Sequence, residues 1–197
     1  VETQRKVLVV NTQHMASLVE LIPRDKCEQA AIDRQNDPLQ KKFASIEPSE
    51  GTPYCDLRWV GFFSPLELPC SPPPWGTIAG IDLSNGDLLW QVPLGTTRDL
   101  APFPVWFIEG VPNTGGPMST ASGLTFIAAT TDFFLRAFDT MTGEELWKER
   151  LPTGGHATPM SYQTPSGKQF VVIAAGGHYS FGTPPSDHII AFALEKD

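Results

Sequence analysis

The sequence predicts an all-β fold built from repeated blades, a partial β-propeller. Three observations predict it. Short apolar runs are separated by turns rich in Gly, Pro and Asp, with Gly 17 and Pro 19 in 197 residues and few helical periodicities. One pattern occurs twice: Ala79-Gly80-Ile81-Asp82-Leu83-Ser84-Asn85-Gly86-Asp87-Leu88-Leu89-Trp90 matches Arg136-Ala137-Phe138-Asp139-Thr140-Met141-Thr142-Gly143-Glu144-Glu145-Leu146-Trp147. One offset relates Asp82 to Asp139, Gly86 to Gly143 and Trp90 to Trp147, the mark of an internal repeat. Third, a Trp closes each copy. A twisted four-stranded blade cannot bury its faces alone, and a large flat side chain at a repeated position buries ~150–250 Å² against the neighbouring blade. Trp90 and Trp147 are therefore read as inter-blade core.

The elements follow in order. Lys6–Val10 is a strand, Asn11–Met15 a polar turn and Ala16–Ile22 a second strand. From Pro23 to about Arg58 the pattern dissolves into polar sequence with one weak helical stretch, Pro38–Ile46. Residues 23–58 are read as a loop insertion, partly ordered at best. Trp59–Phe63 is a short strand, and Leu68–Trp75, with its Pro72-Pro73-Pro74 run, a stiff connector. Thr77–Asp82 and Asp87–Val92 are blade strands. Thr97–Gly116 is a long loop carrying Pro102-Phe103-Pro104-Val105-Trp106-Phe107. Leu124–Ala129 and Phe133–Phe138 are buried strands flanking the Thr130-Thr131-Asp132 turn. In Asp139–Gly143, Asp caps backbone N–H groups and Gly supplies positive φ. Glu144–Lys148 begins the next strand. Gln169–Ala175 corresponds to Thr125–Ala129, and Asp187–Leu194 to Asp132–Asp139. Between these last two strands stands a Gly-rich loop, residues 176–186, opening on Gly176-Gly177-His178.

The net charge of −8 argues against nucleic-acid binding, which needs a basic surface. No apolar run approaches the ~18 residues of a membrane span. Val1–Lys6 lacks the apolar stretch of a secretory leader. Cys27, Cys55 and Cys70 allow one bridge, and spacing does not choose it. His156, His178 and His188 are not in metal-ligand spacing. There is no nucleophile elbow, phosphate loop or dinucleotide fingerprint.

Asp132 and His178 stand at corresponding strand ends and are expected on one propeller face, looking into one site. Asp132 sits between Ala128-Ala129 and Phe133-Phe134, where desolvation raises a carboxyl pKa and suits it to proton transfer or to holding a hydroxyl. The competing reading is a turn cap. His178 follows two glycines that let backbone approach a ligand. The competing reading is a loop His bonded to backbone.

Five stretches carry a resemblance: Gly115–Ala121, Asp132-x-x-Leu135-Arg136-Ala137-Phe138, Gly143-Glu144-x-Leu146-Trp147, Arg150-Leu151-Pro152-x-Gly154-Gly155-x-Ala157-Thr158-Pro159-Met160-x-Tyr162, and Gly167–His178. With Leu68-Pro69-Cys70-x-x-Pro73-x-Trp75-Gly76, the chain resembles the C-terminal part of membrane-bound quinoprotein glucose dehydrogenases and their quinate/shikimate dehydrogenase relatives. The resemblance implies the last two to three blades of an eight-bladed propeller carrying pyrroloquinoline quinone (PQQ), with Ca²⁺ or Mg²⁺ beside it. It implies oxidation of a sugar, polyol or cyclitol hydroxyl, with electrons passing to ubiquinone at the periplasmic face of the inner membrane. Asn11, Asp132 and His178 match positions lining the cofactor and substrate cleft. The catalytic Asp, the metal ligands and the membrane anchor are expected in the N-terminal blades and segments of the parent, so the isolated chain is expected to be inactive and to self-associate. Tyr179 stands where Gly is usual in the glucose dehydrogenases, and His156 where Gln is usual. The alternative from another class is a non-enzymatic periplasmic propeller scaffold, which shares the Trp repeat but needs no Gly-Gly-His loop.

Overall fold

The protein is described by a computed structural model that covers residues 2–59, 61–64, 68–99 and 101–194. It divides into two units, residues 1–14 with 73–197, and residues 15–72. Strand β1 (Val7–Gln13) opens the first unit. The second holds β2 (Leu18–Pro23), α1 (Cys27–Asn36), α2 (Pro38–Phe43), β3 (Ala44–Pro48) and β4 (Tyr54–Trp59). The first then resumes with β5 (Gly76–Asp82), β6 (Leu88–Pro93), β7 (Met118–Ser119), β8 (Leu124–Ile127), β9 (Phe134–Asp139), β10 (Glu145–Arg150), β11 (Met160–Gln163), β12 (Gln169–Ala175) and β13 (His188–Phe192).

The first unit contains three antiparallel sheets, ordered β1-β5-β6, β10-β9-β8-β7 and β11-β12-β13. They are successive blades of a partial propeller. Val7, Val9, Ile78, Trp90, Leu94, Ile127, Ala129 and Phe138 fill the space between the first and second sheets. Ala128, Leu135, Leu151, Val171, Ile173 and Ala175 fill the space between the second and third. The middle sheet is thus covered on both faces, which is why β9 is mostly apolar and buried at four successive positions rather than alternating ones.

The repeat has the structural role its spacing predicts. Asp139 Oδ1 accepts from the N–H groups of Met141 and Thr142, at 2.8 and 2.9 Å, closing the turn between β9 and β10. Asp82 Oδ1 accepts from Ser84 N–H in the first copy. Trp90 packs across the inter-sheet space onto the second sheet's turn. Its Nε1 donates to Thr140 O at 3.0 Å, and its ring lies against Gly143. The residue opposite each Trp on the adjoining strand is small, Gly80 for Trp90 and Ala137 for Trp147. Trp90 is only 8 % exposed. Trp147 departs from the expectation: it is 38 % exposed and makes an edge contact with Phe192 of the third sheet, ring centres 5.4 Å apart. No Gly turn cradles its ring among the described residues, so the same docking is shallower.

Three local expectations are corrected. Asn11-Thr12-Gln13 is strand, not turn, paired with Ile78-Thr77-Gly76. These polar side chains are satisfied sideways: Thr12 Oγ1 bonds Thr77 Oγ1 at 2.7 Å and Gln13 Nε2 donates to Asn113 O at 2.5 Å. The expected loop 23–58 is folded, as part of the unit Met15–Pro72. Its sheet is β2-β4-β3. Asp37 caps α2, accepting from Leu39 and Gln40 N–H with Pro38 at the first helical position. The small apolar content that suggested disorder is offset by a covalent tie, Cys27–Cys55, while Cys70 is a free, exposed thiol. The expected strand Trp59–Phe63 is displaced: β4 ends at Trp59, Phe63 forms an isolated bridge with Pro69, and Val60 lies outside the described residues.

The disulfide closes a separation of 28 residues, for which loop closure is worth about 2–4 kcal/mol. Cys27→Ser is expected to speed hydrogen exchange throughout β2, β3 and β4 by about 30-fold or more, leaving β8 and β9 protected. Equal protection of β4 with and without the bridge would show that the small sheet needs no tie.

Candidate functional site

The site grows from the end of β1. Asn11 Nδ2 donates to Asn113 Oδ1 at 2.6 Å and to Gly115 O at 3.1 Å. Two oxygens facing one amide nitrogen assign the side-chain orientation. Both N–H hydrogens are therefore engaged, and Oδ1 is what Asn11 has left to offer a ligand. Asn113 is buried, donates from Nδ2 to Thr12 O at 3.0 Å, and bridges to Thr130 at the end of the second blade.

The third blade joins the same rim. Thr114 N–H donates to Ala129 O, Ala129 N–H to Gly155 O, and Gly177 N–H to Gly154 O, at 2.9, 2.9 and 3.0 Å. Backbone runs so close here that side chains are excluded. A Cβ on Gly115, at φ +115°, would stand 2.5 Å from His156 O. A Cβ on Gly177, at φ +69°, would stand 1.9 Å from Pro184 O. These approaches bring His156, His178 and Phe181 together, with ring centres 5.3 to 5.6 Å apart. Thr183, buried, receives His178 N–H on its hydroxyl at 2.6 Å and bonds His156 Nε2 at 3.1 Å.

His178 is exposed, and among the described residues no hydrogen bond engages either of its ring nitrogens. His156 is half-buried. Burial pushes its pKa down and the His178 charge adds to that, against a smaller opposing pull from the Thr114 and Ala129 carbonyls. It is held neutral at pH 7. Its Nδ1 is buried and makes no completed hydrogen bond.

Asp132 is placed otherwise than the sequence suggests. It is 0 % exposed, so no face of it is open to a ligand. Arg136 grips both carboxylate oxygens, Thr130 Oγ1 donates to Oδ1 at 2.6 Å, and Thr96 N–H donates to Oδ2 at 2.8 Å. Burial alone would raise its pKa, but the Arg136 hydrogen bonds and charge, with Thr130 and Thr96, outweigh it and hold the carboxyl below the usual range. The expectation of a raised pKa and a proton-transfer role is overturned because the apolar neighbours conceal a guanidinium. Asp132 instead ties the turn of the second blade to the root of the 97–108 loop. Ala129 and Phe133, on either side of the turn, adopt φ of +58° and +59°, a cost of about 1–3 kcal/mol each that this ion pair helps to sustain.

So the structure brings Asn11 and His178 to one rim, joined through Gly115 and His156, and sets Asp132 beneath it. Sequence reading passed over Asn113, Thr183 and the partner Arg136. The Asp132-x-x-x-Arg136 spacing was the one visible signal for the last. The rim offers an amide oxygen, an imidazole with free nitrogens and close backbone, a set suited to binding a flat ligand rich in N–H and carbonyl groups. Among the described residues, no group of three His, Cys, Asp or Glu is placed to hold a metal, and no helix is long and apolar enough to cross a membrane.

Comparison with known proteins gives a family match. Residues 1–171 match the family model described as PQQ: glucose/ethanol/alcohol dehydrogenase, β-propeller domain. The chain is 43 % identical over 202 residues to the quinoprotein glucose dehydrogenase of Escherichia coli (strain K12), covering 100 % of this chain and 25 % of that protein. It is 47 % identical over 196 residues to the quinate/shikimate dehydrogenase (quinone) of Acinetobacter baylyi, covering 97 % of this chain and 24 % of that one. Among solved structures, a quinohemoprotein alcohol dehydrogenase from Pseudomonas putida HK5 superposes with a TM-score of 0.56 at 20 % identity, covering 98 % of this chain and 25 % of its own. A europium-containing methanol dehydrogenase superposes at 0.55 and 22 % identity, covering 89 % and 23 %. At such identities these two support the fold. The chain spans about a quarter of the length of the curated relatives it matches.

Proposed function

Since the chain belongs to the β-propeller family of PQQ-dependent glucose, ethanol and alcohol dehydrogenases, we propose that it forms the C-terminal blades of a dehydrogenase oxidising a sugar, polyol or cyclitol hydroxyl. The observation that carries this reading is the rim that joins Asn11 of the first blade to His178 of the third. PQQ is a flat quinone bearing carboxylates and one pyrrole N–H. The donor set fits it: Asn11 Oδ1 can accept from an N–H, and a His178 ring N–H can donate to a ligand oxygen. When bound, the quinone supplies the two-electron oxidant for the alcohol.

This chain's own residues bind and orient. His178 faces the ligand, Gly177 lets the backbone come near, and Asp132 supports the rim from beneath without touching what binds there. Ca²⁺ or Mg²⁺, ubiquinone as acceptor and the catalytic base belong, in this proposal, with the rest of the parent protein. A disulfide in the second unit accords with an oxidising compartment and so with the periplasmic face of the inner membrane. Ile189, Met160 and Tyr162 are exposed on the third sheet. In the parent they lie against a neighbouring blade, and in the isolated chain they drive self-association.

The test is dye-coupled oxidation by the full-length parent of glucose, other aldoses, quinate, shikimate and polyols, with PQQ and Ca²⁺ or Mg²⁺ added. PQQ-dependent turnover of at least one is expected, together with none by the isolated 197-residue chain. No turnover and no PQQ binding by the parent would instead favour the non-enzymatic scaffold.

A further inference from the structure

We propose that His156 is a positioning residue for His178, holding the 176–186 loop so that the exposed imidazole keeps one orientation toward substrate. The inference rests on the function proposed above, and it adds a determinant of substrate binding one step back from the rim.

The geometry is that of a clamp with two arms. One arm is made of rings. His156 meets His178 edge-on at 5.6 Å, and Phe181 closes the group, tilted over His156 at 5.4 Å and edge-on to His178 at 5.3 Å. The His178 ring, with no hydrogen bond of its own among the described residues, is oriented by these contacts. The other arm is made of hydrogen bonds. Thr183 Oγ1 accepts from His178 N–H and bonds His156 Nε2. His156 Nδ1 is buried without a hydrogen-bond partner among the described residues, and the Thr114 and Ala129 carbonyls, at the end of the second blade, act on the ring.

The arms fix the tautomer. If Nδ1 carries the proton, these carbonyl oxygens favour it. Nε2 is then an acceptor, and the Thr183 hydroxyl donates to it. The Thr183 oxygen in turn accepts from His178 N–H. The two formed bonds then run in one direction, from His178 N–H through the Thr183 hydroxyl to His156, an arrangement in which each strengthens the next. The opposite tautomer leaves a bare, buried Nδ1 without a donor, so the neutral ring has one preferred state. Through it the loop bearing His178 is referenced to the Ala129 turn, which also carries the Asn11 side of the rim.

The test uses the full-length parent with PQQ and metal added. His156→Ala removes both arms, while His156→Gln retains an amide oxygen that can accept from Thr183. His156→Ala is expected to raise KM about tenfold with kcat within about twofold, and to lose that effect when His178 is already Ala, since residues acting through one another are non-additive. Independently of turnover, hydrogen exchange at residues 177–183 is expected to quicken about tenfold in His156→Ala and to be largely restored in His156→Gln. Unchanged exchange in the loop would overturn the clamp. So would a KM effect that persists in full without His178. A parent with no PQQ-dependent turnover would refute the function proposed above, and the exchange measurement would still decide whether His156 holds the loop.

Discussion

Asp132→Ala is expected to destabilise the protein by about 3–5 kcal/mol, because it leaves the Arg136 guanidinium buried without its main partner. Side-chain exposure is 4 % for Arg136 and 0 % for Asp132. Arg136 keeps the neutral Thr130 hydroxyl, to which Nη1 donates at 3.1 Å, and one carboxylate, with Nε donating to Glu145 Oε2 at 3.0 Å. That partner is partly solvated and offsets little. The variant also frees Thr96 N–H and the Thr130 hydroxyl, so the root of the 97–108 loop loosens with the turn. Asp132→Asn is expected to cost less, with the same sign. Denaturant unfolding of the full-length protein is the measurement, and a loss below about 1 kcal/mol would show that water or a shifted Arg136 replaces the carboxylate.

The pH dependence follows from the same pair. The folded carboxyl has a pKa below its unfolded value of about 3.9. Its contribution is fully present above that unfolded value and is lost as pH falls through the folded one. Wild type should therefore lose stability below about pH 4 more steeply than Asp132→Asn, whose amide does not titrate.

Trp90→Ala is expected to cost about 3–5 kcal/mol, the range for a fully packed aromatic. Its ring fills the space between the first and second sheets, and its N–H satisfies the buried Thr140 carbonyl. Truncation removes contacts on both sheets at once and orphans an acceptor. Trp147→Ala should cost much less, about 1 kcal/mol, since its ring is 38 % exposed and donates no hydrogen bond among the described residues. Equal losses in the two variants would mean that Trp147 is covered in the protein as measured.

The blades were legible in the sequence because they repeat. Asp-x-x-x-Gly-x-x-x-Trp marks a turn and the Trp that follows it, and β9, mostly apolar in sequence, is buried at four successive positions. Residues 15–72 were not legible, because a small sheet held by Cys27–Cys55 needs few apolar residues and leaves no periodicity. At the site, His178 stood out by its glycines and Asn11 by its family position. The state of Asp132 was hidden. Its apolar neighbours are adjacent in sequence, whereas the guanidinium that sets its charge comes from the next strand and the Thr96 N–H from a loop 36 residues away. His156 was visible only as a departure from Gln, since its contacts depend on how the 176–186 loop folds back.

Gln13 pairs with Gly76, and His14 N–H donates to Trp75 O at 2.7 Å. Topologically, β1 and β5 are the two arms of a hairpin whose tip is a folded module. The chain leaves the blade and returns to it at neighbouring points of one ladder, so the blade's register does not depend on what is spliced there. Loop-closure entropy grows only with the logarithm of length, about 0.6 kcal/mol for each doubling, and the ladder carries that cost once. Residues 15–72 thus occupy a cassette position.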